Sequence, residues 1–103
     1  MNIFKQLFGG SDPVDLQNVI DQGAYLVDVR SPGEFAQGQV KGSVNIPLDT
    51  IPSRLAQFKG KKNIIVFCRS GNRSGQAKAI LEQNGFSNVV NGGTWEDVNR
   101  YVK

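Results

Sequence analysis

The most constraining feature of this sequence is a near-continuous apolar run, NIIVF at residues 63–67, with a glycine-containing segment and a helix pattern directly after it. Apolar side chains at successive positions, in a run of strand length, indicate a strand that is covered on both faces. Strands of this kind occur in parallel sheets that carry helices on each side. The run therefore predicts an α/β domain with a mainly parallel sheet.

The rest of the chain alternates between strand and helix patterns, as such a domain requires. We predict further strands at 24–30, 44–46 and 87–90, and helices at 11–23, 49–60, 74–85 and 92–103. Pro52 lies near enough to the start of its helix to be tolerated there. The chain of 103 residues is the size of one domain. We assign residues 1–10 to an N-terminal extension and residues 11–103 to the domain.

Two features of the composition exclude whole classes of chemistry. The chain has no histidine, which rules out Cys-His and Ser-His catalysis and every metal site built on imidazole. It has one cysteine, Cys68, so an internal disulfide, a C-x-x-C redox pair and a zinc knuckle are excluded as well. We expect no metal and no other cofactor.

Charge and hydropathy bear on location and partners. The net charge of +3 is too small, and its basic residues too scattered, to indicate nucleic-acid binding. No apolar stretch approaches the roughly 20 residues of a membrane helix, and the first ten residues lack the pattern of a secretory signal. We expect a cytoplasmic protein that binds neither nucleic acid nor membranes, and a monomer.

Cys68 ends the apolar run and begins the segment CRSGNRS, residues 68–74. Ligands gather at the carboxyl ends of parallel strands, and a glycine-containing turn into a helix aims successive backbone N–H groups at one anion. A lone cysteine at a strand end is more often a small buried hydrophobe, but the glycines and paired arginines favour a site. We expect Cys68 to be a nucleophile with a pKa below about 8.5. The predicted anion-binding residues are Arg69, Ser70, Gly71, Asn72, Arg73 and Ser74.

Several residues near this loop have two interpretations. Asp28 and Arg30 end the first predicted strand and could border the pocket, but we favour structural roles, with Arg30 pairing with Glu34 across one helical turn. Ser74 either bonds to the sulfur anion or caps the following helix. Asn72 either faces the substrate or adopts the left-handed geometry that asparagine tolerates.

Three segments taken in order resemble the single-domain rhodaneses, a family of sulfurtransferases: LVDVRSPGEFAQGQVKGSVNIPL, IIVFCRSGNRS and GFSNVVNGGTWEDV. The resemblance runs from about Asp12 to the C-terminus and depends on the combination of DVR, NIP, the C-R-S-G-x-R loop and GG…W. It implies a three-layer α/β/α domain around a central, mainly parallel sheet of about five strands. One position departs from the pattern, because Gln39 stands where the family often has histidine. We expect that change to be harmless.

The resemblance also implies a reaction. The Cys68 thiolate attacks the outer sulfur of a small anionic donor such as thiosulfate, sulfite leaves, and Cys68 carries a persulfide. An acceptor such as cyanide, a thiol or a protein then removes the sulfur. The lack of histidine fits this chemistry, because a pre-formed thiolate needs no general base.

Proteins with the same fold but other functions provide the alternatives to sulfur transfer. Cysteine phosphatases and arsenate reductases share the fold, but four residues separate Cys68 from Arg73, one fewer than in the phosphatase loop. The shorter loop is too tight for phosphate and leaves room for one extra sulfur, which favours sulfur transfer. A persulfide relay to a protein partner and a non-enzymatic interaction module stay open as further alternatives.

Overall fold

The computed structural model describes residues 15–102 of the chain. In chain order its elements are α1 (Leu16–Asp21), β1 (Tyr25–Asp28), α2 (Pro32–Gln37), β2 (Val44–Asn45), two 3₁₀ helices (Leu48–Ser53 and Leu55–Phe58), β3 (Ile64–Cys68), α3 (Asn72–Gln83), β4 (Val89–Thr94) and α4 (Trp95–Asn99). The predicted extension at residues 1–10 lies outside the described residues. Within 15–102, no helix combines the length and the apolar character needed to cross a bilayer.

The strands form one sheet in the order β2-β1-β3-β4, and every neighbouring pair is parallel. All five residues of β3 are buried, which confirms the expectation from the apolar run. The resemblance implied about five strands, and the described part of the chain contributes four. Because the strands are parallel, the carboxyl ends of β1, β3 and β4 lie at the same edge of the sheet.

Helices cover the sheet on both faces, as the three-layer prediction required. On one face, Ile64, Val66 and Cys68 pack with residues of α3 and of the 3₁₀ helices. On the other, Ile65 and Phe67 pack with Val98 of α4 and with side chains of α1. Strand alternation accounts for this division, and it places Cys68 on the face that α3 covers.

The predicted helix at 49–60 was wrong as one continuous helix, although Ile51 and Phe58 are buried as the pattern requires. The segment forms two 3₁₀ helices that meet at Arg54. Pro52 lies inside the first of them, where it cannot donate a backbone hydrogen bond and its ring crowds the preceding turn. Short 3₁₀ turns are a common outcome where an α-helix cannot continue.

Two helix starts near the site follow from capping. Ser31 caps α2 in a complete capping box, in which its side chain and that of Glu34 bond reciprocally to backbone N–H groups. Thr94 caps α4 by accepting from the Asp97 N–H at 3.1 Å. Capping therefore places Glu34 in the first turn of α2.

Candidate active site

Cys68 lies at the carboxyl end of β3, and its side chain is fully buried beneath the loop that follows. The backbone N–H of Gly71 donates to Cys68 Sγ at 3.0 Å. The Ser74 hydroxyl oxygen lies 3.5 Å from the same sulfur. The loop therefore folds back over the sulfur and places hydrogen-bonding groups around it.

Gly71 makes this return of the chain possible. It is the N-cap of α3 and has a φ of +93°, a conformation that costs other residues energy and glycine very little. From Gly71 onward the chain enters α3, a helix of 12 residues, and the backbone N–H of Ser74 in its first turn hydrogen bonds to the sulfur. The positive end of a helix favours a nearby anion.

These contacts shift the ionisation of the thiol. Burial raises the pKa of Cys68, whereas hydrogen bonds from the Ser74 side chain and from the backbone N–H groups of Ser74, Ser70 and Gly71 lower it by more. The pKa of Cys68 therefore lies below its ordinary value. A buried sulfur is normally kept neutral, so hydrogen bonding from the loop is what favours the thiolate here.

Arg73 forms an ion pair that the sequence analysis did not predict. Its guanidinium makes a bidentate ion pair with Glu34 of α2, at 2.8 Å and 3.0 Å. The Arg73 side chain and the N–H of Ser31 lower the pKa of Glu34 to about 2, and Glu34 in turn raises the pKa of Arg73. The predicted pairing of Arg30 with Glu34 was wrong, because Arg73 occupies that carboxylate.

The remaining loop residues lie nearer to solvent. Arg69, Ser70 and Asn72 are exposed, and the Asn72 N–H donates to Ser70 Oγ at 3.4 Å. Arg69 lines a cavity of about 240 Å³ together with Trp95 and residues of α2. Arg69 thus provides a cation at the rim, away from the floor where the sulfur lies.

Ser74 is fully buried in the first turn of α3. Its Oγ lies 2.7 Å from Asn91 Oδ1 and 3.0 Å from the carbonyl oxygen of Gly71. Gly71 is the N-cap of the helix, so of the two interpretations of Ser74 the helix cap is excluded. The hydroxyl instead belongs to a hydrogen-bond network around the sulfur.

Asp28 and Arg30 form a buried ion pair beside the site. Arg30 donates to both Asp28 carboxylate oxygens, at 2.9 Å and 2.7 Å, and to the carbonyl of Gly38 at 2.6 Å. Its guanidinium carbon also lies 4.8 Å from the centre of the Trp95 ring. Arg30 therefore ties β1 to the end of α2 and the start of α4, which is the structural role, and it also lines the cavity beside Arg69, which was the other interpretation.

The sequence interpretation missed two residues of the site, Glu34 and Asn91. Glu34 carried a readable signal, because Ser31 and Glu34 have the spacing of a capping box, but nothing local linked it to Arg73. Asn91 carried no signal at all, since its role depends on the pairing of β4 with β3. No group of three or more cysteine, aspartate and glutamate residues within 15–102 is arranged to hold a metal ion.

Comparison with known proteins places this site in a family. The sequence model described as "Rhodanese-like domain" matches residues 12–96. A thiosulfate sulfurtransferase of Escherichia coli, PspE, is 40% identical over 76 residues, which cover 72% of this chain and 73% of that protein. A sulfurtransferase of Allochromatium vinosum is 41% identical over 66 residues, 64% of this chain and 62% of that protein, so the match spans less than two thirds of that relative.

A solved structure supports the same family assignment. The structure titled "rhodanese with anions from E. coli" superposes with a TM-score of 0.66 at 39% identity, over 72% of this chain and 89% of that one. The matched residues include both the strand that ends in Cys68 and the loop that surrounds its sulfur. This chain belongs to the rhodanese-like domain family.

Proposed function

We propose that this protein transfers sulfane sulfur, with Cys68 as the nucleophile and the loop from Arg69 to Ser74 as the anion-binding element. The observation that carries the proposal is the hydrogen bond of 3.0 Å from the Gly71 N–H to Cys68 Sγ, at the N-terminus of α3. A thiolate is the reactive form of cysteine, and this contact favours it. Relatives named sulfurtransferase and thiosulfate sulfurtransferase support the same chemistry.

The first step loads the enzyme. The Cys68 thiolate attacks the outer sulfur of thiosulfate, a new S–S bond forms, and the bond between the two sulfurs of thiosulfate breaks. Sulfite leaves with the bonding electron pair, and Cys68 then carries a persulfide whose outer sulfur bears the negative charge. No proton is transferred, so the step requires no general base.

The second step discharges the persulfide. A nucleophile such as cyanide attacks the outer sulfur, the S–S bond breaks, and its electron pair returns to Cys68 Sγ as the thiolate. Cys68 is the sole cysteine of the chain, so the acceptor must come from outside the chain. A thiol or a protein could take the place of cyanide. A cytoplasmic location and a monomeric state stay predictions.

The surroundings of the sulfur select for small donors. The Cys68 side chain has no exposed surface, so a donor reaches Sγ only when neighbouring groups make room. Arg69 is exposed and lines the cavity at the rim, and its charge is not engaged by Glu34 as that of Arg73 is. Arg69 is therefore the better candidate to attract the anionic end of the donor, and the loop N–H groups hold the sulfur.

The structure argues against the phosphatase alternative. A phosphatase of this fold needs its loop arginine on the phosphate, whereas Arg73 is engaged by both oxygens of Glu34. The shorter loop also encloses one sulfur atom closely, with the Gly71 N–H at 3.0 Å. Phosphate would need that space and those donors.

The test is a turnover assay with thiosulfate and cyanide, which measures thiocyanate. We expect turnover by the natural protein and none by Cys68→Ser. An aryl phosphate serves as the competing substrate. Thiocyanate formation without phosphate release supports the proposal, and phosphate release without thiocyanate would overturn it.

A further inference from the structure

One side chain on the neighbouring strand contacts two of the residues that hydrogen bond to Cys68 Sγ, Gly71 and Ser74. Asn91 of β4 places Oδ1 2.7 Å from Ser74 Oγ, and its Nδ2 donates to the carbonyl of Gly71 at 3.3 Å. In the sheet register Asn91 pairs with Val66, two residues before Cys68. Strand alternation therefore puts Asn91 on the face that carries the sulfur and α3.

The Ser74 hydroxyl has one proton and three acceptors within reach. These are Asn91 Oδ1 at 2.7 Å, the Gly71 carbonyl at 3.0 Å and Cys68 Sγ at 3.5 Å. The orientation of the Asn91 amide is fixed, because the Gly93 N–H also donates to Oδ1, at 2.9 Å. While the sulfur is neutral, the nearest acceptor, Asn91 Oδ1, takes the proton.

Ionisation of the sulfur changes this preference, because a hydrogen bond to a charged acceptor is roughly twice as strong as one to a neutral acceptor. When the hydroxyl turns to Sγ, Asn91 Oδ1 still accepts from the Gly93 N–H. The Gly71 carbonyl still accepts from the Gly75 N–H at 3.0 Å and from Asn91 Nδ2 at 3.3 Å. Neither acceptor is left unpaired, so both orientations of the hydroxyl are complete networks.

We propose that Asn91 is a positioning residue that gives the Ser74 hydroxyl an alternative acceptor, so that the hydroxyl donates to Cys68 Sγ only while that sulfur is charged. The inference rests on the proposed function, in which Sγ gains and loses charge once per cycle. Formation of the persulfide moves the charge from Sγ to the outer sulfur, and the hydroxyl turns to Asn91. Discharge returns the charge to Sγ, and the hydroxyl turns back.

The test uses the pH dependence of alkylation of Cys68 by iodoacetamide, which reports the thiolate of the chain's single cysteine. Asn91→Ala removes the nearer of the two acceptors that compete with the sulfur for the Ser74 proton, and the Gly71 carbonyl at 3.0 Å remains. Ionisation of Cys68 then no longer breaks a hydrogen bond from Ser74 to Asn91. The midpoint of the alkylation profile therefore moves to lower pH. At a pH below the midpoint we expect alkylation to be about two- to tenfold faster, the size expected for one neutral hydrogen bond.

Two further variants test the mechanism itself. In a Ser74→Ala background, Asn91→Ala should leave the midpoint where Ser74→Ala alone puts it, because Asn91 acts through the hydroxyl. Asn91→Asp keeps the acceptor and adds a negative charge near the sulfur, so it should move the midpoint to higher pH. Asn91 is exposed, and Ser74→Ala removes one hydroxyl without adding volume, so we expect all of these variants to fold.

Asn88→Ala is the matched control. Asn88 precedes β4 and its amide bonds to the carbonyls of Lys61 and Lys62, at 2.6 Å and 3.0 Å, far from the sulfur. It should leave the alkylation profile unchanged. An Asn91→Ala midpoint that stays in place or rises would overturn the proposal, as would a shift that persists in full without Ser74. Alkylation needs no sulfur donor, so failure of the transferase proposal would show separately, as absent turnover.

Discussion

The backbone N–H of Gly71 donates to Cys68 Sγ at 3.0 Å, and Gly71 does so from a φ of +93°. This single residue both reverses the chain after β3 and begins α3. Its left-handed conformation therefore links the backbone geometry of the loop to the ionisation of the sulfur. A residue with a Cβ would have the space, since the nearest atom would be Gly93 Cα at 3.6 Å, but would be strained.

Gly71→Ala should separate these two effects. We expect a loss of about 1 kcal/mol in the free energy of unfolding from the strained φ. We also expect the alkylation midpoint of Cys68 to move to higher pH as the N–H shifts away. Gly85→Ala is the control, because Gly85 has a φ of +94° with no atom within 4 Å of the added Cβ. It should cost similar stability with no change at the sulfur. Equal midpoints in the two variants would contradict the role of Gly71.

The pH dependence of sulfur loading should follow the thiolate. Because hydrogen bonds lower the pKa of Cys68 by more than burial raises it, the loading rate should rise with pH and level off with a midpoint below that of a free cysteine. Ser74→Ala removes one of those hydrogen bonds and should move the midpoint upward. Stopped-flow measurement of sulfite release over a pH series provides the comparison. A midpoint at or above that of a free cysteine would show that burial raises the pKa of Cys68 by more than the hydrogen bonds of the loop lower it.

The Glu34–Arg73 ion pair should make the free energy of unfolding depend on pH in the acid range. Glu34 has a pKa of about 2 in the folded protein against an ordinary 4.5, so its contribution is fully present above about 4.5 and is lost as the pH falls toward 2. Because the pair is only half-buried, we expect Glu34→Gln to cost about 0.5–1 kcal/mol at neutral pH and to flatten the denaturation profile in that range.

Glu82→Gln is the control for this pair. Glu82 bonds to Lys78 at 2.6 Å on the exposed side of α3, and its loss should cost about 0.3 kcal/mol. If stability fell with pH in the same way in both variants, the ion pair of Glu34 with Arg73 would contribute no more than an ordinary exposed pair.

The Asp28–Arg30 pair should dominate stability near the site. Both side chains are buried, so Asp28→Asn leaves the Arg30 guanidinium without its counter-charge. We expect a loss of about 3–5 kcal/mol, measured by urea denaturation. Asp97→Asn breaks an exposed pair with Arg100 at 3.1 Å and should cost below about 1 kcal/mol. A small effect at Asp28 would mean that water or another group replaces its charge.

Gly92 leaves no room for a side chain. An added Cβ would lie 2.7 Å from Val98 Cγ2 and 2.9 Å from Ile65 Cγ2, where β4 bulges against β3. Gly92→Ala should therefore cost about 1–3 kcal/mol by overpacking. Gly33→Ala, with no atom within 4 Å of its Cβ, should be neutral within about 0.5 kcal/mol. Thermal denaturation of the two variants makes the comparison.

Local patterns sufficed to predict the part of the site that lies on one stretch of chain. The run ending at Phe67 fixed a buried parallel strand, and the glycine and polar residues after it identified the turn over Cys68. Pro52 showed the limit of such patterns, because its place within the turn decided between an α-helix and 3₁₀ helices. The ion pair of Arg73 with Glu34 joins residues 39 positions apart, a distance at which spacing carries no information.

Asn91 shows the same limit more sharply. Its position beside Ser74 depends on the register of β4 against β3 and on the packing of α3 over that face. An asparagine before two glycines is, as a local pattern, typical of a turn. Tertiary structure alone turns it into a neighbour of the sulfur's hydrogen-bond donors.

The most direct test of sulfur transfer through Cys68 is the intact mass of the protein after incubation with thiosulfate at neutral pH and removal of the donor. We predict a protein that is heavier by one sulfur atom, that returns to its starting mass when cyanide is added, and a Cys68→Ser variant that gains nothing. An unchanged mass under saturating thiosulfate, or the same gain in Cys68→Ser, would contradict the account.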